Sequence, residues 1–195
     1  MVQGIAILGL NGSGKSTLAH ALSDRIGYYE MDVEDYYFPE QKKSRREELQ
    51  NDNVVETKCR GELPFLKPRV KSVVQDAIIL DINAHPNFII SSVTMNWCDE
   101  ILSKLDVAFM VCTPLEIRLK RIQDRERKRF GTRVLPGGDM YEQQLKFRNM
   151  VLARQERVVE ESAKRLKCPV VVLDGTVSVA DNLNRIMGII HVRDI

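Results

Sequence analysis

An α/β domain with a doubly wound parallel sheet is what this 195-residue sequence predicts. Two observations carry the expectation. Five short apolar runs alternate with helical patterns, and the first run leads directly into a glycine-rich turn that opens a helix. Ligands of such domains bind beyond the C-terminal ends of the strands, so the candidate residues are sought there.

The first run, Gly4–Leu8, is apolar throughout, and further runs lie at 28–31, 87–93, 106–111 and 169–173. Four of the five are rich in Ile, Val or Phe with little alternation, as in strands buried on both faces. The run at 28–31 is the exception and suits an edge strand. Between the runs, Lys15–Ile26 sets Leu18, Ala19, Leu22 and Ile26 at helical spacing, with Gly27 as its stop. Val70, Val73, Val74 and Ala77 give the spacing of a second helix that ends before His85 and Pro86. Thr113-Pro114-Leu115-Glu116 reads as a capping box with proline at the first helical position. Ser178-Val179-Ala180-Asp181 repeats the device for the last helix. Residues 141–167 read as one long helix, and the polar stretch 40–62 as a helical flap or loop.

At this length the chain predicts a single domain over 1–195. Apolar residues make up 44% and charged residues 29%, a globular balance that argues against disorder. A net charge of +2 gives no whole-molecule attraction to nucleic acid or an anionic membrane. Cys59, Cys98, Cys112 and Cys168 show no zinc-binding spacing, and Cys112 and Cys168 read as small buried hydrophobes. His20, His85 and His191 are scattered without metal spacing. No signal peptide or membrane span is legible, so a cytoplasmic protein is expected.

The strongest local signal is Gly9-Leu10-Asn11-Gly12-Ser13-Gly14-Lys15-Ser16-Thr17, which matches Gly-x-x-x-x-Gly-Lys-Ser/Thr between a strand and a helix. In such a loop the glycines let backbone N–H groups wrap a phosphate, and the helix N-terminus adds positive potential. Gly9, Asn11, Gly12, Ser13, Gly14, Lys15, Ser16 and Thr17 are therefore the expected nucleotide contacts. Lys15 would reach the β- and γ-phosphates of ATP, and the Ser16 hydroxyl would ligate Mg2+.

Two further segments carry charge where such chemistry needs it. After the second run come Asp32, Glu34 and Asp35, followed by Tyr36, Tyr37 and Phe38. Carboxylates at this sheet edge can hold a magnesium water shell or accept the proton of an attacking hydroxyl; a solvated acidic loop is the plainer alternative. Residues 118–133 hold eight basic side chains against two acidic ones. This concentration suits a lid over 118–140 that closes on a triphosphate, bending at Gly131 and at Pro136-Gly137-Gly138. A basic surface or an RNA contact is the alternative, though Phe130 alone offers stacking.

The loop Gly9–Thr17, the acids after the second strand and the arginine-rich helix together resemble the P-loop kinase superfamily. Its nucleoside monophosphate kinases, shikimate kinases and nucleoside kinases have a three-layer fold on a five-stranded parallel sheet of order 2-3-1-4-5 with a helical lid. Shikimate kinases carry an Asp-x-Asp that Asp32 and Glu34 resemble, whereas nucleoside kinases carry an acid before an aromatic, as in Asp35-Tyr36. The favoured assignment is Asp35 as base and Asp32 as metal partner. Arg121 and Arg125 resemble the arginine pair at the adenylate kinase lid. Gly175 and Thr176 stand where adenylate kinases read adenine with backbone groups, and an ordinary turn is the alternative. No acid ends the run at 87–93; Asp81, which follows Ile78-Ile79-Leu80, falls in a helical pattern instead. The resemblance implies an ATP- and magnesium-dependent phosphotransferase acting on a small-molecule hydroxyl or phosphate bound near residues 36–66. A nucleotide-dependent switch acting on a protein or RNA partner is the alternative.

Overall fold

The computed structural model describes residues 2–43, 45, 65 and 67–192, with side chains as far as residue 190. Most of the 40–62 stretch, and with it Cys59 and the greater part of the expected acceptor region 36–66, lies outside the described residues.

Five parallel strands form one sheet in the order β2-β3-β1-β4-β5: β1 (Gly4–Leu8), β2 (Tyr29–Asp32), β3 (Phe88–Ser92), β4 (Val107–Cys112) and β5 (Val170–Asp174). This is the predicted order, with β2 at the edge as its weaker apolar pattern implied. Register aligns Leu8 with Ser92 on one side and with Met110 on the other, so β1 and β3 end level while β4 runs on to Cys112. Asp32 pairs across to Ser91, which brings the first acid of the cluster to the same rim.

The described helices are α1 (Lys15–Ile26), α2 (Val33–Tyr37), α3 (Lys71–Ala84), α4 (Asp99–Leu102), α5 (Leu115–Phe130), α6 (Tyr141–Ala153), α7 (Arg157–Ala163) and α8 (Val179–Val192). Because side chains alternate along a strand, β1 feeds two cores. Ile5 and Ile7 pack with Leu18, Ala19 and Leu22 of α1 and Ile186 and Ile190 of α8. Ala6 and Leu8 pack with Val74, Ile78 and Ile82 of α3, Ile101 of α4 and Val159 of α7. Helices thus cover both faces in three layers. Trp97 is buried in the second of these cores.

Three local expectations are corrected. The span 141–167 is not one helix: Arg154 adopts an extended conformation (φ −81°, ψ 114°) and ends α6. No glycine or proline marks the break. It coincides with a tertiary contact, since Arg154 Nη1 donates to Asn11 Oδ1 at 3.0 Å. The expected capping box at Thr113 does not form either. Pro114 is the N-cap of α5 and makes no side-chain bond, because the Thr113 hydroxyl donates to the Ser13 carbonyl at 3.1 Å. Its partner motif does cap α8, with Asp181 N–H donating to Ser178 Oγ at 3.1 Å. Finally, Cys112 is exposed and Cys168 half-buried, since Cys112 is the last residue of β4 and opens onto the cleft beyond the sheet.

Candidate active site

The phosphate loop is built by close approach. Gly12 has φ +80°, and a Cβ there would lie 2.5 Å from the Arg118 carbonyl, so the loop rests against the start of α5. Arg118 is itself buried, its Nε donating to the Thr113 carbonyl at 3.0 Å. It supports the loop from behind instead of standing in a basic lid surface. Gly14, with φ 96°, is the N-cap of α1, and the first intrahelical bond runs from Leu18 N–H to its carbonyl. The N–H groups of Lys15, Ser16 and Thr17 therefore have no partner within the helix, which is the arrangement that receives an anion. Ser13 differs from the other loop residues. Its N–H donates to the Leu10 carbonyl at 3.0 Å, so it shapes the loop from within.

Three acids meet at one cation. Arg45 Nη2 lies 2.9 Å from Asp32 and 3.0 Å from Glu34, and Nη1 lies 2.7 Å from Asp35. Asp32 also caps α2 by accepting from Glu34 N–H at 3.0 Å. Burial would raise the Asp32 carboxyl, but Arg45, Lys15 and a hydrogen bond from Ser16 outweigh it and hold the group below the usual carboxylate range. Lys15 is lowered by burial, with Asp32 and Glu34 acting in opposition. Ser16 and Asp32 present two hard oxygen donors in contact, as magnesium requires when it takes one or two protein ligands plus phosphate and water. The donor set fits the ion.

Two cavities flank the loop. The first, of about 500 Å³, is lined by Asn11, Lys15, Asp32, Glu34, Trp97 and Arg154, among others. Asp35 is buried but does not line it; the guanidinium of Arg45 stands on its carboxylate. The second, of about 380 Å³, is lined by Gly12, Ser13, Gly14, Thr17, Arg121, Arg125 and Gly175. The predicted arginine pair therefore shares one wall, one helical turn apart. Arg121 Nη1 donates to the Ser13 carbonyl at 3.2 Å and Nη2 to the Gly175 carbonyl at 2.9 Å. A Cβ at Gly175 would lie 1.8 Å from Thr113 Oγ1, so only glycine fits there. Thr176 is exposed and turned away. Its N–H and hydroxyl both bond Asp174 Oδ1, at 2.8 and 2.7 Å.

Beyond α5, Gly131 ends the helix with φ 58° and a 3-10 turn follows at Gly131–Val134. Arg133 clasps Asp139, with Nη2 at 2.7 Å from Oδ2. Phe130, Val134 and Met140 form a small core of their own, so 130–140 is a compact appendage on the end of α5. Asp81 lies within α3 and accepts from the Tyr36 hydroxyl at 2.5 Å. It takes no place in the site, and β3 ends in Ser91 and Ser92 as its sequence indicated.

With this geometry in view, the family comparison is direct: the model of the AAA domain family matches residues 5–133. This chain belongs to that family. Among relatives of this AAA domain protein, the Bacillus subtilis (strain 168) protein named "Uncharacterized protein YqaC" is 27% identical over 195 residues, covering 96% of this chain and 97% of the relative. Solved structures share its fold at lower identity. Shikimate kinase from Bacteroides thetaiotaomicron matches with a TM-score of 0.56 at 14% identity, covering 98% of this chain and 99% of that one. A gluconokinase from Sinorhizobium meliloti 1021 matches with 0.52 at 13%, covering 99% and 98%. Deoxyadenosine kinase from M. mycoides, with bound dCTP, matches with 0.51 at 17%, covering 97% and 99%. The fold of this AAA domain protein is that of the P-loop kinase superfamily.

Arg45, Arg154 and Asn182 belong to the site neighbourhood, and the sequence alone does not mark them. Arg45 lies in a polar stretch with no motif, and Arg154 in what reads as uninterrupted helix. Asn182 is an ordinary polar residue in the first turn after the Ser178 cap.

Proposed function

We propose that this protein is an ATP- and magnesium-dependent phosphotransferase that acts on a small-molecule hydroxyl or phosphate. The observation that carries this reading is the placing of the phosphate loop between two cavities. Gly12, Gly14 and Thr17 face the one beside Arg121 and Gly175, while Asn11 and Lys15 face the one beside the acids. The first suits the base and ribose of a donor nucleotide, and the second an acceptor. A nucleotide switch needs only the first.

In this reading the open N–H groups at the start of α1 hold the β-phosphate, and Lys15 follows the charge of the transferred group. Ser16 and Asp32 would hold magnesium, which when bound would supply positive charge to offset that of the phosphates. Asp35 accepts the proton of the attacking hydroxyl once Arg45 withdraws from it. Arg121 positions the loop through the Ser13 carbonyl, and Arg125 offers charge from the same helix face to the developing transition state. The appendage 130–140 would close as a lid. Gly175 supports the base, and catalysis is by positioning and electrostatics instead of covalent chemistry. The chain would act as a single domain over 1–195. A cytoplasmic location belongs to the same reading; among the described residues no helix is long and apolar enough to cross a membrane.

The test is ADP release from magnesium-ATP in the presence of a panel of nucleosides, nucleoside monophosphates and sugar-like acids. Release that depends on one class of acceptor supports the proposal. Hydrolysis unaffected by any acceptor would favour a switch or accessory ATPase instead.

A further inference from the structure

We propose that Asn182 selects the base of the bound nucleotide, favouring one that carries an exocyclic amino group. The inference rests on the reading that the cavity beside Gly175 takes the base. Its ground is the way the turn after β5 uses its own carbonyls. The Asp174 carbonyl accepts from Asn182 Nδ2 at 2.8 Å, and the Gly175 carbonyl accepts from Arg121 Nη2 at 2.9 Å. The Asp174 and Gly175 carbonyls are thus engaged by side chains before any ligand arrives. The N–H of Gly175 is engaged as well, donating to the Cys112 carbonyl at 2.7 Å. Sequence leads one to expect main-chain reading at Gly175 and Thr176, but both main-chain groups of Gly175 are taken and the Thr176 N–H is held by Asp174 Oδ1.

Asn182 supplies the replacement. The residue is 5% exposed and lines the cavity together with Leu18, Ile122, Val177 and Val179. A carbonyl can only accept, so the atom facing Asp174 must be the amide nitrogen. That fixes the orientation of the group and leaves Oδ1 as an acceptor. Oδ1 has no hydrogen-bond donor among the described residues, yet it is not sealed from solvent. Asn182 lines the cavity, so this remaining acceptor is the group it offers to a ligand there. The apolar side chains around it suit the faces of a flat ring. Adenine and cytosine present an amino group on the edge where guanine and uracil-type bases present a carbonyl oxygen. A fixed acceptor bonds the first pair and opposes the second.

The experiment is calorimetric titration of the protein with the magnesium complexes of ATP, inosine triphosphate, CTP and UTP, two pairs that differ at that position. In the tighter-binding pair, the amino-bearing nucleotide is expected to bind roughly 3- to 10-fold better, the scale of one net hydrogen bond. Which pair binds better distinguishes a purine from a pyrimidine site. In Asn182→Leu the preference should shrink to within about twofold. Equal binding within both pairs by the wild-type protein would overturn the inference, and so would a preference that survives in Asn182→Leu. The wild-type comparison decides even where the variant fails to fold. Absence of binding by all four nucleotides would instead overturn the nucleotide reading itself, and this inference with it.

Discussion

Arg45 donates from Nη1 to Asp35 Oδ1 at 2.7 Å, and this bond ties together the acid cluster that β2 delivers to the sheet rim. The same guanidinium reaches Asp32 and Glu34, so one side chain balances three carboxylates. Burial alone would lower the Arg45 pKa, but the three acids together raise it above the ordinary value. Removing one partner from a buried ionic cluster is costly because it leaves like charges facing each other. Arg45→Ala should therefore destabilise the fold by about 3 kcal/mol at pH 7. The folded Asp32 carboxyl lies below its ordinary 3.8, so the stability it contributes is present above that value and is lost as pH falls through the folded one. The gap between wild type and variant should close in acid. Urea unfolding of both proteins at pH 7 and again below pH 4 checks this, and a pH-independent gap would contradict it.

The acids should separate by role. Asp35→Asn is expected to lower phosphoryl transfer by roughly 10²–10⁴, the range for losing a general base, while sparing ATP binding. Asp32→Asn should instead weaken the magnesium dependence of nucleotide binding, since its carboxylate is the one in contact with Ser16. Titrations with and without magnesium, set beside single-turnover rates, distinguish the two. If Asp32→Asn stops transfer while Asp35→Asn is silent, the assignments are reversed.

Lys15→Ala should reduce transfer by about 10²–10³, the scale for losing one donor aimed at developing charge. The side chain lies between the loop and the acids and is lowered by burial among them, so no neighbour replaces it without a shift of the loop. Normal turnover in this variant would separate the motif from the chemistry.

Glu126 gives stability a pH dependence of opposite sign to that of Asp32. It is buried on α5 with Oε1 unpartnered, and burial pushes its carboxyl up to about 7 against the pull of Arg125, Arg148 and Arg129. The folded state therefore keeps a proton that the unfolded chain releases near 4.5. The stability this contributes is fully present below that value and is lost as pH rises through about 7. The loss is on the order of 3 kcal/mol at most. Thermal unfolding in buffers from acid to neutral pH should show the decline, and Glu126→Gln should flatten it. An unchanged slope in the variant would contradict the account.

Much of this fold is legible because its signals are local. Buried parallel strands write themselves as unbroken Ile and Val runs, and Gly27 and Ser178 punctuate helices through their own backbone and hydroxyl bonds. The loop Gly9–Thr17 is legible for the same reason, since its shape depends on glycines at fixed offsets. What sequence does not carry is contact across the fold. Thr113 carries a capping pattern yet turns its hydroxyl to Ser13, 100 positions away. Arg154 interrupts a sequence with full helical propensity to reach Asn11. Arg118 reads as one more charge in a basic run and is buried behind the loop. Thr176 reads as a base contact, but Asp174 just before it captures both of its donors. In each case a tertiary hydrogen bond, or a bond within a turn, outweighs a propensity worth only a fraction of a kcal/mol.

The central claim is that backbone amides at the start of α1, with Lys15, receive the polyphosphate of a magnesium-bound nucleotide. Calorimetric titration of the wild-type protein with magnesium-ATP tests it most directly, alongside Gly12→Ala, whose added Cβ cannot clear the Arg118 carbonyl. The account predicts saturable single-site heat for the wild type and its loss in Gly12→Ala. No saturable heat from the wild-type protein at millimolar nucleotide would contradict it.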